Sequence, residues 1–405
     1  MRKVWLASAA LLVFGVAGCG SAGGGSNAAD DVIRIGFIAP TQGAFGEIGE
    51  NLVDGARIAV DQANAAGGID GRQLELVVTD EGTSPQTATQ AARDLVGDGV
   101  ELVGGMFSSA NCGAVAPIIE QSPAVLITGS CASNEQTGAF TGQAPFTRTF
   151  GVAARDRSTA DAVAEVIGQR FPQVRTFDVL GFDYKWGRET WDGFRDGLDG
   201  GAGITVNREQ WLPLNTTDFR AQVSAMSRGL AGERDGRGVF LSTYGAGTAG
   251  FIQQAESFDL PQQIAVLANA GEYYNVARSL NGRAPDMWNA YDYNYAAFDT
   301  PVNQEFVEAY GAMHDGARPV GWTYQGYLVG LAYTAALQEA GTDDPEQVRT
   351  ALEGVTFDGP SGPVTIGAES HQADIPTVVS HTVGAPDQPD GIDVVETIVV
   401  PYGGR

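Results

Sequence analysis

The strongest constraint on the fold is a regular alternation of short apolar segments with helical segments over residues 32–275. The apolar segments carry β-branched and apolar residues on both faces, which is typical of parallel sheets covered by helices. They form two consecutive runs, residues 32–150 and 151–275, and each run is the size of one doubly wound domain. The predicted strands are 32–40, 73–80, 101–105, 124–130, 176–182, 204–211, 238–244 and 264–270. The predicted helices are 49–66, 86–97, 112–121, 157–170, one beginning at Arg188, 217–231 and 247–258.

The last third of the chain does not begin a third run. It predicts helices over 301–314 and 321–340, a helix begun by Asp344-Pro345, and strands over 363–366, 376–383 and 392–400. Because too few β/α units remain for a separate sheet, this tail must pack back onto both lobes. We therefore predict an N-terminal lobe of 32–150 with about 295–362, and a C-terminal lobe of 151–294 with about 363–405. Ligands of such folds bind in the cleft between the lobes.

The first nineteen residues predict an export signal. Arg2 and Lys3 precede an apolar stretch, residues 4–16, that is too short to span a bilayer. The stretch ends in V-A-G-C, which resembles a bacterial lipoprotein signal with Cys19 as the lipidated first residue of the mature chain. An ordinary signal peptide with a chance cysteine is the alternative. Residues 20–31 are rich in Gly and Ser and predict a flexible tether.

Charge and cysteine content fit an exported protein. The chain has 24 Lys and Arg against 49 Asp and Glu, a net charge of -25, and it lacks a basic stripe, which excludes nucleic acid as a partner. Loss of Arg2 and Lys3 leaves 22 positive against 49 negative residues, or -27. In an oxidising compartment Cys112 and Cys131 are predicted to form a disulfide, with two buried thiols as the alternative.

Enzyme motifs are almost absent from the sequence. There is neither a G-x-S-x-G elbow nor a phosphate-binding G-x-x-x-x-G-K-[ST] loop, and no cofactor is predicted. A G-x-G-x-x-G match over 245–250 has Glu272 about 20 residues downstream, but it falls late in the chain, directly after Tyr244. We interpret it as a glycine-rich turn that gives a ligand access to Tyr244. The three histidines lack metal-ligand spacing and are predicted to lie on the surface: His314, His371 and His381.

Several motifs together resemble the leucine/isoleucine/valine-type solute-binding proteins. The phrase NAAGGIDGR followed by LELVVTD is the most specific, and the resemblance continues through LVGGMFSS, DYKWGRETWDGFRDGL and TFDGPSGPVTI. The resemblance implies two α/β lobes, joined by three hinge strands, that close over a small solute and present it to an ABC permease. It also implies a binding protein without catalysis, held outside the cell membrane by its lipid. An extracytoplasmic sensor of the same fold is the alternative, and an exported enzyme is a third.

The same resemblance implies binding residues in the first lobe. The serine that holds a ligand carboxylate in the family aligns with Ser108, beside Ser109, at the mouth of a helix whose N–H groups favour an anion. Simple N-capping by Ser109 or Asn111 is the alternative. In the second loop, Ser130 aligns with a position that offers a backbone carbonyl. The family's threonine is replaced by Ala132, and Ser133 is a candidate substitute.

In the second lobe the resemblance implies an aromatic wall. Trp186 aligns with an aromatic lid, Tyr184 lies close to it in sequence, and Tyr244 aligns with a ligand-contacting tyrosine. A core tryptophan is the alternative for Trp186. The acidic residue that neutralises a ligand ammonium in the family falls on Ala270, and Glu272 is a candidate replacement. An amino acid, an amide, a urea-like solute and a small carboxylate therefore all remain open as ligands.

Overall fold

The computed structural model describes residues 32–132, 146–198, 203–214, 216–229, 234–388 and 391–401. The predicted signal peptide and tether, with Cys19, lie outside these residues, as does Ser133. Two sheets flanked by helices make up two lobes, which confirms the α/β fold class predicted from the alternation. Within the described residues, no helix combines the length and apolar character that a membrane span needs.

The first sheet is wholly parallel, with strand order β2-β1-β3-β4-β5. Its strands are β1 (Val32–Ala39), β2 (Gln73–Asp80), β3 (Leu102–Gly105), β4 (Val125–Thr128) and β5 (Thr149–Gly151). Its helices are α1 (Gly46–Ala65), α2 (Pro85–Gly97) and α3 (Ser109–Glu120). The start of α2 follows from local chemistry, because the Ser84 side chain accepts a hydrogen bond from Thr87 N and Pro85 needs no N–H partner at the first helical position.

The second sheet has seven strands in the order β14-β13-β10-β9-β8-β6-β7. Its parallel part contains β6 (Thr176–Phe182), β7 (Thr205–Leu212), β8 (Arg237–Ser242), β9 (Val266–Ala270) and β10 (Met287–Tyr291). Two antiparallel strands, β13 (Thr377–Gly384) and β14 (Ile392–Val400), complete one edge. The helices are α4 (Asp156–Arg170), α5 (Lys185–Gly197), α6 (Arg220–Gly229), α7 (Gly245–Glu256) and α8 (Tyr274–Ser279). Strand β10 and helix α8 were not predicted from the alternation.

The remaining elements pack mainly on the first lobe. They are α9 (Pro301–Met313), α10 (Gly321–Ala340), α11 (Pro345–Leu352) and the hairpin strands β11 (Thr356–Gly359) and β12 (Gly362–Thr365). Helix α10 lies directly against α1, and glycines allow the close approach. A Cβ atom on Gly326 would lie 1.9 Å from the Leu52 carbonyl oxygen, and one on Gly55 would lie 1.9 Å from that of Thr323.

The chain passes between the two lobes after β5, after β10 and before β13. These crossings are tied together, since Gly151 pairs with Gln372, whose side-chain amide donates to the Ala153 carbonyl at 2.8 Å. Adjacent crossing segments of this kind form a hinge. The exact residue boundaries assigned to each lobe stay a prediction.

Candidate ligand-binding cleft

A cavity of about 280 Å³ lies between the lobes, beyond the carboxyl ends of strands from both sheets. Most of its wall comes from the segments that follow β2, β3 and β4 in the first lobe and β6, β8, β9 and β10 in the second. Residues that follow β1 and residues of α10 contribute as well. Eight of the nine predicted ligand-binding residues line it: Ser108, Ser109, Ser130, Ala132, Tyr184, Trp186, Tyr244 and Glu272. The geometry therefore brings together residues that are as far apart in sequence as positions 108 and 272.

Aromatic rings from both lobes form the apolar part of the cavity wall. Tyr244 is at the centre of the cluster, with its ring centroid 5.4 Å from that of Trp186 and 5.9 Å from that of Phe107. Trp186 is half-buried and faces the cavity, so the alternative of a core tryptophan does not describe it. Burial raises the pKa of Tyr244, and its hydroxyl is neutral at physiological pH. The aromatic residues of the wall are Phe45, Phe107, Tyr184, Trp186, Tyr244, Tyr291 and Trp322.

The loop before α3 carries the polar residues of the first lobe. Ser108 is the N-cap residue of α3, but its side chain makes no capping hydrogen bond. Ser109 and Asn111 lie inside the helix and are not its N-cap residue, and the Asn111 amide donates to Glu81 Oε1 at 2.8 Å. The side chain of Ser108 thus lines the cavity at the positive end of a helix.

Glu81 is a cavity residue that the sequence analysis missed. It follows β2 directly, and its carboxylate accepts hydrogen bonds from Phe107 N at 2.8 Å and Ser108 N at 3.0 Å. The side chain is buried, and burial raises the pKa of Glu81 against the opposing effect of these donors. An acidic residue at the carboxyl end of a predicted parallel strand was the signal that could have identified it.

The loops after β3 and β4 are held against each other. Ser130 N donates to the Met106 carbonyl at 3.0 Å. The Cα atoms of Cys112 and Cys131 lie 6.5 Å apart with their sulfur atoms adjacent, a separation that a disulfide spans. Both side chains are buried between β3, β4 and α3.

Glu272 lies on the other side of the cavity and connects the two lobes. Its carboxylate accepts hydrogen bonds from Tyr274 N at 2.7 Å, in its own lobe, and from Gly321 N at 2.6 Å, at the start of α10. The pKa of Glu272 is raised to about 7, chiefly by burial and to a smaller extent by nearby Asp292, while the N–H donors oppose the shift. Ala270, which occupies the position of the family's acidic residue, also lines the cavity.

A second polar group that the sequence analysis missed lies at the hinge. Asp292 follows β10 and accepts hydrogen bonds from Ala154 N, at 3.2 Å, and from the Gln325 amide. Burial raises the pKa of Asp292 to about 6, and the nearby Arg155 guanidinium partly offsets that shift. Asp292 and Gln325 line the cavity.

The glycine-rich match over 245–250 has a packing role. It opens α7, and a Cβ atom on Gly247 would lie 2.4 Å from the Phe182 ring. The glycines thus let α7 approach β6 closely, with Tyr244 as the N-cap residue of the helix.

The prediction that all three histidines lie on the surface is wrong for one of them. His371 is buried, stacks on Phe150 with ring centroids 4.3 Å apart, and its Nδ1 lies 3.0 Å from the Phe146 carbonyl oxygen, so the surface prediction is wrong there. A position beside the hinge crossing at Gln372 explains this burial. His314 and His381 are half-buried, each against an aspartate at 2.8 Å. The described part of the chain contains no cluster of His, Cys, Asp and Glu that could hold a metal ion.

The fold and the inter-lobe cavity agree with comparisons to known proteins. The sequence profile of the family described as periplasmic binding protein matches residues 32–383. The chain belongs to this family. More specifically, it is a class I solute-binding protein of the ABC-transporter type, and the family is extracytoplasmic.

Individual relatives are distant but cover most of the chain. A leucine-, isoleucine-, valine-, threonine- and alanine-binding protein of Pseudomonas aeruginosa is 26% identical over 337 residues, which is 82% of this chain and 85% of the relative. A Leu/Ile/Val-binding protein homolog of Brucella melitensis is also 26% identical, over 81% of this chain and 85% of its own length. An ABC transporter substrate-binding protein from Sphaerobacter thermophilus superposes with a TM-score of 0.78 at 27% identity, over 92% of this chain and 98% of its own.

Proposed function

We propose that this solute-binding protein captures a small organic solute, with a partly apolar body, in the cleft and delivers it to the permease of an ABC transporter. The observation that carries the proposal is the inter-lobe cavity of about 280 Å³ whose aromatic walls come from both lobes. This volume lies near the lower end of known ligand pockets, roughly 300 Å³, and fits a solute of amino-acid size. The relative from Pseudomonas aeruginosa, described as binding five aliphatic and hydroxyl amino acids, supports the same size class.

The cleft residues divide into two roles in this proposal. Tyr184, Trp186 and Tyr244 enclose the apolar body of the solute, and the Tyr hydroxyl groups add directional contacts. Ser108, Ser109 and Ser130 and the backbone at Ala132 orient its polar end, with Glu272 at the opposite side of the cavity. Ser133 stays a candidate contact from sequence alone.

Closure of the hinge explains how binding is signalled to the permease. Rings of the first lobe meet rings of the second across the cleft, as at Phe107 and Tyr244. A solute between these walls adds contacts to both lobes only when they are closed, so binding favours the closed form. A Cys112–Cys131 disulfide, which we also propose, would hold the two binding loops of the first lobe together and lower the entropy lost on binding.

Anchoring completes the proposed transport role. The positive start of the chain, the apolar stretch and V-A-G-C support cleavage before Cys19 and its lipidation. Residues 20–31 would then link the lipid to β1, keeping the cleft within reach of a membrane-embedded permease. Replacement of Cys19 by Ala should release the protein from the membrane fraction; retention of C19A in that fraction would contradict the lipid anchor.

A thermal-shift screen of the mature protein tests the solute-binding role. Amino acids, amides, ureas, aromatic acids and amines are compared, because a solute that binds only the folded state raises its melting temperature. We expect at least one solute to bind and to be recovered unchanged. Conversion of the solute into a product would contradict a pure binding function, and no binding across the panel would contradict the proposal itself.

A further inference from the structure

Among the residues that the structure describes, the titratable side chains lining the inter-lobe cavity include three acids and no base. Glu81, Glu272 and Asp292 all line it, with exposed fractions of 1%, 3% and 2%. No described residue in its wall is Lys, Arg or His. The buried Arg155 offsets part of the negative charge of Asp292, but it does not line the cavity. Segment 133–145 also contains no Lys, Arg or His in its sequence.

An internal carboxylate is placed at the anion site predicted for the solute. Glu81 accepts hydrogen bonds from Phe107 N and Ser108 N, the backbone donors beside the start of α3. A solute carboxylate bound at Ser108 would therefore lie beside the Glu81 carboxylate inside a buried cavity, where like charges repel strongly. The first lobe thus disfavours the anionic end group that Ser108 was predicted to hold.

Gln325 gives independent evidence about the polar end of the solute. Its side chain is buried, and its Nε2 donates to Asp292 and to the Tyr291 hydroxyl. Because the Asp292 carboxylate can only accept hydrogen bonds, the Gln325 side chain must direct Nε2, and not Oε1, toward it. Gln325 Oε1 is a buried acceptor in the wall of the cavity, and none of the described residues donates a hydrogen bond to it. A buried unpaired acceptor calls for a donor from the solute.

The aromatic rings of the wall are a third feature that favours a positively charged solute. Ring faces attract a cation within about 6 Å of their centroids, and the attraction is larger in a desolvated site. Both lobes contribute such rings to the wall. Apart from Tyr291 in strand β10, they are Phe45, Phe107, Tyr184, Trp186, Tyr244 and Trp322.

We infer that the solute carries a positively charged nitrogen with N–H donors, and no carboxylate. The inference rests on the proposed solute-binding function and narrows it to organic amines and amidines of small size. The buried carboxylates on both sides of the cavity and the unpaired Gln325 oxygen make the cleft favourable for a cationic nitrogen, and the hydrocarbon part of the solute packs against the aromatic rings. An α-amino acid is disfavoured because its carboxylate would lie beside that of Glu81, and the described residues of the wall supply no cation to offset the repulsion.

Matched solutes that differ only in the end group test this inference on the wild-type mature protein. Benzylamine, benzamide and benzoate share a phenyl body, while isoamylamine, leucine and 4-methylpentanoate share an isobutyl group. Calorimetry at pH 7.5 should give at least tenfold tighter binding for each amine than for the acid with the same body. The tightest solute in the complete screen should also contain a cationic nitrogen and no carboxylate.

The outcomes separate this inference from the proposed function. If the tightest solute is a carboxylate, a zwitterion or an uncharged compound, solute binding stands and the inference is overturned. If no solute in the complete screen binds, the proposed function fails and the inference fails with it.

A pair of variants tests the role of Glu81. Glu81→Gln should weaken binding of the tightest amine at least tenfold and reduce the preference for amine over acid. Asp80→Asn is the matched control, because Asp80 is adjacent, accepts from Thr41 N at 2.8 Å and does not line the cavity. D80N should keep the affinities for the amine and for the acid within twofold of those of the wild type. An unchanged preference in a folded E81Q protein would overturn the role of Glu81; should E81Q fail to fold, the wild-type series decides.

Discussion

Replacement of Glu272 by Gln should remove a large part of the pH dependence of stability. The wild-type carboxyl is buried between the lobes, and its pKa is raised from 4.5 to about 7, chiefly by burial. Glutamine retains a side-chain oxygen that can accept from Gly321 N, but it cannot ionise. The substitution therefore isolates the ionisation of a single group at the junction of β9 and α10.

The sign and size of this pH dependence follow from the shift in the pKa of Glu272 on folding. Because the pKa of Glu272 is raised on folding, the native state binds the proton more tightly than the unfolded state. The resulting stabilisation is fully present below about pH 4.5 and is lost as the pH rises through about 7. At about 1.4 kcal/mol per pKa unit, the shift corresponds to about 3 kcal/mol, of which about 2.5 kcal/mol is lost between about pH 5 and 8.

Urea unfolding at pH 5, 6, 7 and 8 measures this directly. The free energy of unfolding of wild type minus that of E272Q should fall by about 2.5 kcal/mol across the series. Glu339→Gln is the matched control, since Glu339 is exposed near the other end of α10, and E339Q should follow the wild-type slope. A wild-type slope in E272Q would refute the assignment of a raised pKa to Glu272.

Three further predictions concern binding, packing and the cysteines. Tyr244→Ala should weaken binding of the cleft solute at least tenfold by calorimetry and leave the protein folded; unchanged affinity would contradict its place in the wall. Gly326→Ala should lower the unfolding free energy by about 1–3 kcal/mol, because its Cβ would meet the facing helix, whereas Gly113→Ala, in open space, should raise it by up to about 1 kcal/mol. Equal effects would contradict the packing argument. Non-reducing mass mapping should recover a peptide linking Cys112 to Cys131; two free thiols would contradict the disulfide.

The sequence identified eight of the cavity residues because their signals were local. Positions that follow a strand, such as Ser108 after β3 and Tyr244 after β8, can be located once the strands are recognised. In parallel sheets those positions share one edge, so their convergence follows from the strand pattern. The family resemblance then selected which of them line the cavity.

The elements that were missed lacked such local signals. Strand β10 is only five residues long, and it is stabilised by β9 on one side and antiparallel β13 on the other, about 90 residues downstream. Its omission also hid Asp292, which follows it directly. The burial of His371 depends on the stacking partner Phe150, more than 200 residues away.

The sequence by itself determined the two β/α runs and the positions of most of their strands, since periodicity and turn chemistry are local properties. Only the tertiary structure decided the charge balance of the cavity. Whether an acid such as Glu81 or Glu272 faces solvent or the cavity depends on which backbone N–H groups reach it, and donors such as Phe107 N and Gly321 N lie 26 and 49 residues away in sequence. Desolvation and long-range hydrogen bonding, which no local pattern records, thus determine which solute the cleft accepts.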